Sequence, residues 1–296
     1  MTIEDFIIAT YCVVDNYFKQ VYPSKGLRQR GEMPSLTDQE VITMEIVGEY
    51  LSLGCDKRIW NYFRTHWLGW FPKLGCRTSF TRQGANLLMI KQLIQQAISS
   101  DLCQDQDLYL FDGFPIPVCH IKRYKYSSLF KGQGAVGYCA AKDEKYFGFK
   151  GHLLITRAGV TKAMNIAPAN IDERDVLPEL TNNILGDIIA DKGLIRPELS
   201  EELKNKGINL HTPLRSNMHD TRPKELVFQM MNVRRIVETT ISQLVTRFKI
   251  QTIRAKDLWH LSVKVGRKIL AHTMCFAINK TINTDNPLQL ERLITS

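Results

Sequence analysis

Asp112, Asp191 and Glu238 are the residues of this 296-residue chain whose types and settings could do chemistry together. Each aspartate directly follows a short apolar run, Leu108-Tyr-Leu-Phe111 before Asp112 and Gly186-Asp-Ile-Ile-Ala190 before Asp191. Both runs read as buried strands, and ligands of open α/β sheets gather at the carboxyl ends of strands. If the strands are neighbours, the two carboxylates face each other. Like charges about 4 Å apart repel by about 4 kcal/mol at an effective dielectric near 20. Clustered acids therefore need shifted pKa values or a cation. Oxygen donors without a nearby Cys or His suit Mg²⁺ or Mn²⁺ rather than zinc. Two such ions can activate a water or a 3′-hydroxyl and stabilise the leaving oxygen of a phosphodiester. The bland alternative is that each aspartate is an ordinary turn residue after a strand.

The third acid needs a helix to carry it. Val233, Ile236, Val237, Ile241, Leu244, Val245 and Phe248 form one apolar stripe at helical spacing, and Glu238 sits at its edge. There it could look along the core boundary toward the sheet. Arg234 and Arg235 precede it by one turn, so a surface ion pair is the competing reading.

The elements that must position these acids can be read in outline. Residues 1–100 carry helical patterns over 3–22, ended by Pro23-Ser-Lys-Gly, over about 38–53 and over 86–98; Thr37 and Glu40 form a capping box before the second. Trp60, Tyr62, Phe63, Trp67, Trp70 and Phe71 lie among Arg58, Arg64 and Lys73, which suits either a small helical core or stacking on DNA. Pro115 and Pro117 are expected to end the first strand at Asp112. Residues 146–155 and 160–166 read as a hairpin turning at Gly159, Asp172 as a helix cap, and a long helix begins near Pro223. Alternating strands and helices predict an α/β sheet, parallel for the two acid-tipped strands.

Cations cluster around this frame. Lys122, Arg123, Lys125 and Lys131 form a basic, aromatic loop after the first acid, suited to phosphate backbone contact. Lys150 and His152 share a strand face, either toward a phosphate or simply toward solvent. Arg215 and Arg222 flank the loop before the long helix. Residues 1–100 hold 11 Lys+Arg against 9 Asp+Glu, residues 101–215 hold 15 against 15, and residues 216–296 hold 13 against 6. Most of the net charge of +9 thus sits in the last quarter, at +7, where Arg247, Lys249, Arg254, Lys256, Lys264, Arg267 and Lys268 are expected to track phosphates. Seven scattered cysteines without a C-x-x-C pair fit a reduced compartment, and the acidic start lacks a signal peptide's basic region. No apolar run reaches membrane-spanning length, so a cytoplasmic protein without a membrane partner is expected.

Taken in order, Leu110-Phe-Asp112-Gly-Phe-Pro115-Ile-Pro117, Tyr146-Phe-Gly148-Phe-Lys150-Gly151-His152, Ile189-Ala-Asp191-Lys-Gly193, Thr212-Pro-Leu-Arg215-Ser-Asn217-Met and Arg234-Arg-Ile-Val-Glu238-Thr-Thr-Ile-Ser-Gln-Leu244 carry a family likeness. The chain resembles DDE transposases, and most of all the insertion-sequence 982 family of bacterial mobile elements. Pro34-Ser-Leu-Thr and Phe80-Thr-Arg82 extend the likeness into the helical region. The resemblance implies a ribonuclease-H-like mixed sheet flanked by helices, an N-terminal all-helical region and a basic C-terminal helical tail. It implies that Asp112, Asp191 and Glu238 are the catalytic acids and hold two Mg²⁺ or Mn²⁺ ions. It implies double-stranded DNA as partner (the element's terminal inverted repeats and a target), and a homodimer on that DNA in the bacterial nucleoid. Lys122, Arg123, Lys125, Lys131, Lys150, His152, Arg215 and Arg234 become the candidate DNA contacts. The expected division is 1–100 for DNA binding or dimerisation, 101–252 for catalysis and 253–296 for the basic extension. A nuclease that cuts without joining and a silent DNA-binding regulator are the competing functions.

Overall fold

The computed structural model describes residues 1–22, 32–104, 106–215, 218, 222–282 and 286–294, without the side chains of Ala141 and Leu226. Pro23-Ser-Lys-Gly and Ser216-Asn217 lie outside the described residues. In chain order come α1 (Ile3–Val21), α2 (Asp38–Tyr50), α3 (Asp56–His66), α4 (Arg77–Asn86) and α5 (Leu88–Leu102). Next are β1 (Leu108–His120), α6 (Ile121–Tyr124), β2 (Ala135–Cys139), β3 (Glu144–Thr156), β4 (Thr161–Pro168) and α7 (Glu173–Leu180). Last are β5 (Gly186–Ile189), α8 (Pro197–Asn205), β6 (Ile208–His211), α9 (Lys224–Thr246) and α10 (Leu258–Ile282). None of the described helices is long and apolar enough to cross a membrane. The chain forms two compact units, one of residues 1–102, 244–255 and 259–296, the other of 103–243 and 256–258.

The helical unit starts with two capping boxes, Thr2 with Asp5 and Thr37 with Glu40, the second as the sequence predicts. Phe63 and Phe71 of the aromatic cluster are buried edge to face, 5.1 Å between centroids, while Arg64 covers Trp60 and Trp70 stays exposed. Helix α2 is buried nearly all round yet carries Glu45 and Glu49. Three cations answer them. Lys91 of α5 reaches Glu45 at 2.7 Å and also donates to the Gly84 carbonyl at 2.7 Å. Arg267 of α10 donates through Nε to Glu49 at 2.7 Å and also pairs with Glu45 and Asp56, and Lys268 pairs with Glu49. Burial works against the Arg267 charge, but Glu49, Glu45 and Asp56 together raise its pKa above the ordinary value. Three acids thus balance three bases.

This differs from the expectation that Arg267 and Lys268 track phosphates. Both side chains lie inside, at 1% exposure each, because α10 brings them against the two acids of α2. Arg247 stacks over Tyr50 at 4.6 Å and donates to the Tyr50 and Glu291 carbonyls. Lys249, Arg254 and Lys256 remain exposed. Most of the segment that the sequence sets apart as 253–296 belongs to the same unit as the N-terminal helices.

The other unit is a six-stranded mixed sheet. Strand β3 is its antiparallel spine: β1 lines one edge, while β2 and β4 share the other, β2 along Glu144–Gly148 and β4 along Phe149–Ile155. On the far side of β1 the sheet turns parallel, through β5 and then β6. Four antiparallel strands extended by two parallel ones, with helices on both faces, make a ribonuclease-H-like sheet. Strand β1 does not stop at Asp112 but runs on to His120. Pro115 and Pro117 are tolerated because β5 pairs only with Leu108–Leu110, leaving an open edge beyond. Lying two apart, both prolines turn their nitrogens to the same side, away from β3, so no ladder bond is lost.

Helices α7 and α8 cover one face, where Val176, Leu177, Leu199 and Leu203 pack on Phe111, Leu154, Ile188 and Ile208. Strand alternation sends Leu108, Ile189 and both candidate aspartates, Asp112 and Asp191, to the opposite face. There Met230 and Val233 of α9 line a cleft with Leu108 and Ile189. The ion network of the helical unit makes a prediction. Glu49→Gln strands Arg267 and Lys268 without their shared partner and should cost about 3–5 kcal/mol in urea unfolding; a loss below about 1 kcal/mol contradicts this account.

Candidate active site

The parallel register places the two aspartates. Leu110 stands opposite Ile189 on adjacent strands, and Asp112 and Asp191 lie two residues beyond each. Two steps restore the same face, so both carboxylates emerge side by side, with strands about 4.8 Å apart. The Ala190 amide still donates to His211 at 3.0 Å, so β5 keeps its course almost to Asp191. A tight turn over Lys192–Leu194 then buries Leu194, which anchors the strand end.

Asp112 is partly buried, and its Oδ1 accepts the Gly113 amide at 2.8 Å. Burial pushes its pKa up to about 6; the Gly113 amide opposes this, Glu173 and Asp191 add to it, and Arg234 opposes it. Arg234 of α9 reaches the Asp191 Oδ1 at 3.3 Å from a side chain only 15% exposed. One guanidinium therefore answers both aspartates. Its Nε is buried without a hydrogen-bond partner.

Glu238 lies on α9 one turn beyond Arg234, about 6 Å along the axis, and its side chain is exposed. Among the described residues, no three His, Cys, Asp or Glu side chains stand close enough to hold one metal ion. The structure thus brings Asp112 and Asp191 together and leaves Glu238 on the open side of the helix. Every acid here offers hard oxygen, which fits Mg²⁺ or Mn²⁺.

Another carboxylate, which sequence reasoning missed, lies beside Gly113 on the face covered by α7. Glu173 opens α7 directly after the Asp172 cap, and its Oε1 accepts from the Lys150 ammonium at 3.1 Å. The available signal was Gly113, whose missing Cβ leaves the space that the Glu173 carboxylate fills. Asp175, two residues on, pairs with Arg196. Asp187 holds Asn209 and His211 at the other end of β5.

The proposed DNA contacts fall into two groups. Lys122, Arg123, Lys125, Lys131 and Arg215 are exposed, and Tyr126 among them is 90% exposed. Lys150 is occupied by Glu173 and Arg234 by Asp191. His152 is fully buried, its ring stacked on Phe111 at 6.2 Å, so it does not reach the surface here. Burial, then Lys150, pushes its pKa down to about 4, and neither ring nitrogen finds a partner.

A family model described as Transposase DDE domain matches residues 102–258, just over half of the chain. The chain belongs to the DDE transposase family. The matched segment contains Asp112, Asp191 and Glu238, and it takes in nearly all of the mixed-sheet unit. The fold of this transposase is similar to that of a piggyBac transposase solved as a synaptic complex with hairpin DNA. The TM-score is 0.52 at 8% identity, covering 98% of this chain and 76% of the other. No curated protein matches the chain in sequence.

The Asp112 shift predicts a pH signature. A carboxyl whose folded pKa lies above its unfolded value keeps its proton longer when folded, so stability falls as pH rises from about 4 to about 6. Asp112→Asn removes that charge. In urea melts with chelator the variant should be more stable than the parent by about 1–3 kcal/mol at pH 7.5. The gain should vanish below about pH 4; a pH-independent difference, or destabilisation at pH 7.5, runs against it.

Proposed function

We propose that this DDE transposase cleaves the ends of a mobile DNA element of the insertion-sequence 982 kind and joins the freed 3′-hydroxyl strands to target DNA. The observation that carries the reading is the emergence of Asp112 and Asp191 side by side from adjacent parallel strands, within the segment matched by the DDE family. Asp112, Asp191 and Glu238 are the proposed ligands of two Mg²⁺ or Mn²⁺ ions. Such ions, when bound, supply charge neutralisation at the phosphodiester and lower the pKa of a bound water or hydroxyl.

The chain's own residues do the rest. The Gly113 amide orients Asp112 through its 2.8 Å hydrogen bond. Arg234 neutralises the aspartate pair while no phosphate is present, and a guanidinium so placed suits a phosphate oxygen equally well. Lys122, Arg123, Lys125, Lys131 and Arg215, exposed together with Tyr126, are proposed to position duplex DNA through its backbone. The piggyBac neighbour is a synaptic complex with hairpin DNA, and a homodimer that pairs two DNA ends is the assembly proposed for this chain. The protein is proposed to act in the bacterial cytoplasm, on the nucleoid.

Purified chain, tagged element ends, a target plasmid and Mg²⁺ provide the test. Cleaved ends and joined products are expected. Asp112→Asn, Asp191→Asn and Glu238→Gln should each cut the rate by more than the 10–100-fold typical of losing an outer-shell partner, while DNA binding persists. Cleavage without joining would mark a nuclease, and DNA binding without cleavage a regulator.

A further inference from the structure

The cleft between α9 and the sheet holds a cavity of about 580 Å³ that the three proposed acids do not use. Its volume falls within the range of small-ligand sites. Leu108, Ile189, Met230 and Val233 give it apolar walls, and Arg157, Gln229 and Asn232 add polar groups. Gln229 and Asn232 stand three apart on α9, so their carboxamides lie on one side of the helix. Asp187 and His211 also line the cavity, but they are hydrogen-bonded to each other at 3.1 Å. Arg157, Gln229 and Asn232 are exposed and make no hydrogen bond or ion pair among the described residues. Three polar side chains thus meet in one apolar-walled space with their bonding capacity unspent.

Charge tells against a phosphate group as the occupant. The single arginine is offset by Asp187, and the two carboxamides are neutral. A carboxamide donates and accepts side by side, which matches the N6 and N7 edge of adenine. Apolar walls suit the faces of a flat ring. Position points the same way. Ile189 lies two residues before Asp191 and Leu108 four before Asp112, so all four share one sheet face. At about 3.3 Å per residue the cavity stands roughly 7–13 Å from the acids. That is about two to four steps of a DNA strand at 3.4 Å each. Along α9, Arg234, which reaches Asp191, is one turn beyond Met230.

We propose that this cavity receives one adenine, drawn out of the stack of the DNA held at Asp112 and Asp191, and that Gln229 and Asn232 read it. The inference rests on the transposase reading and adds to it a place where base identity near the cleavage point is tested. Arg157 would answer the partial charge on the base edge or its own phosphate, and the apolar walls would replace the lost stacking.

Element-end DNA in which each adenine near the cleavage position is replaced in turn by the fluorescent base 2-aminopurine tests this. In chelator, one position should brighten when the full chain binds, because the probe's emission rises on leaving the stack. With Mg²⁺, changing that adenine to another base should slow cleavage about 5–150-fold. The double variant Gln229→Leu, Asn232→Leu keeps every acid and Arg234; it should cut all versions of the end at nearly one rate and lose the brightening. Asn232→Trp, which fills the cavity from an exposed position, should do the same and decides the matter if the double variant does not fold. Cleavage by the parent with no position brightening, or with full discrimination kept in both variants, would overturn this inference and leave the transposase reading standing. Saturable binding of adenosine monophosphate without DNA, with no brightening on DNA, would make the cavity a free-nucleotide site and also overturn it. A parent chain that neither binds nor cuts the end would overturn the reading and the inference together.

Discussion

The candidate chemistry depends on three parallel residue pairs. Leu108 with Asp187, Tyr109 with Ile188 and Leu110 with Ile189 fix the register between β1 and β5. A slip of one residue would turn Asp191 to the opposite face, toward the core of α7 and α8, and leave Asp112 alone. Packing prevents that slip. Ile188 and Ala190 are buried in the core beneath α7 and α8, while Ile189 is buried on the other face. Each alternate side chain thus has a destination that only one register satisfies.

The same register creates an electrostatic conflict, because it seats two carboxylates together in partly buried surroundings. The chain answers with Arg234 from α9, the Gly113 amide and a raised pKa at Asp112. These are partial answers, since one guanidinium does not replace a doubly charged cation bound to both oxygens. That residual charge is what the proposed divalent cation would answer. The helical unit solves a comparable problem to completion. Glu45, Glu49 and Asp56 meet Lys91, Arg267 and Lys268 with no acid left over, as expected of a network that serves the fold.

Local signals in the sequence carried over well, and tertiary ones did not. The Thr37–Glu40 capping box, the Gly159 hairpin turn and the Asp172 cap each depend on a few neighbouring residues, and each is found in place. The two apolar runs that lead into Asp112 and Asp191 were equally legible as strands, though only β5 ends near its acid. The prolines misled because their effect depends on an open edge that pairing alone reveals: β1 continues past them beside β3. Arg267 and Lys268 read as surface charge because their partners lie on α2, more than 200 residues earlier. Glu173 was passed over for the same reason, since its place beside Gly113 is made by the sheet and by a glycine's missing side chain.

A crystal structure of the chain grown with Mn²⁺, with the ions located by their anomalous scattering, tests the central claim most directly. The account predicts an ion bound by oxygens of both Asp112 and Asp191, with the Arg234 guanidinium moved off Asp191. Manganese bound elsewhere, or found at only one of the two aspartates, would contradict it.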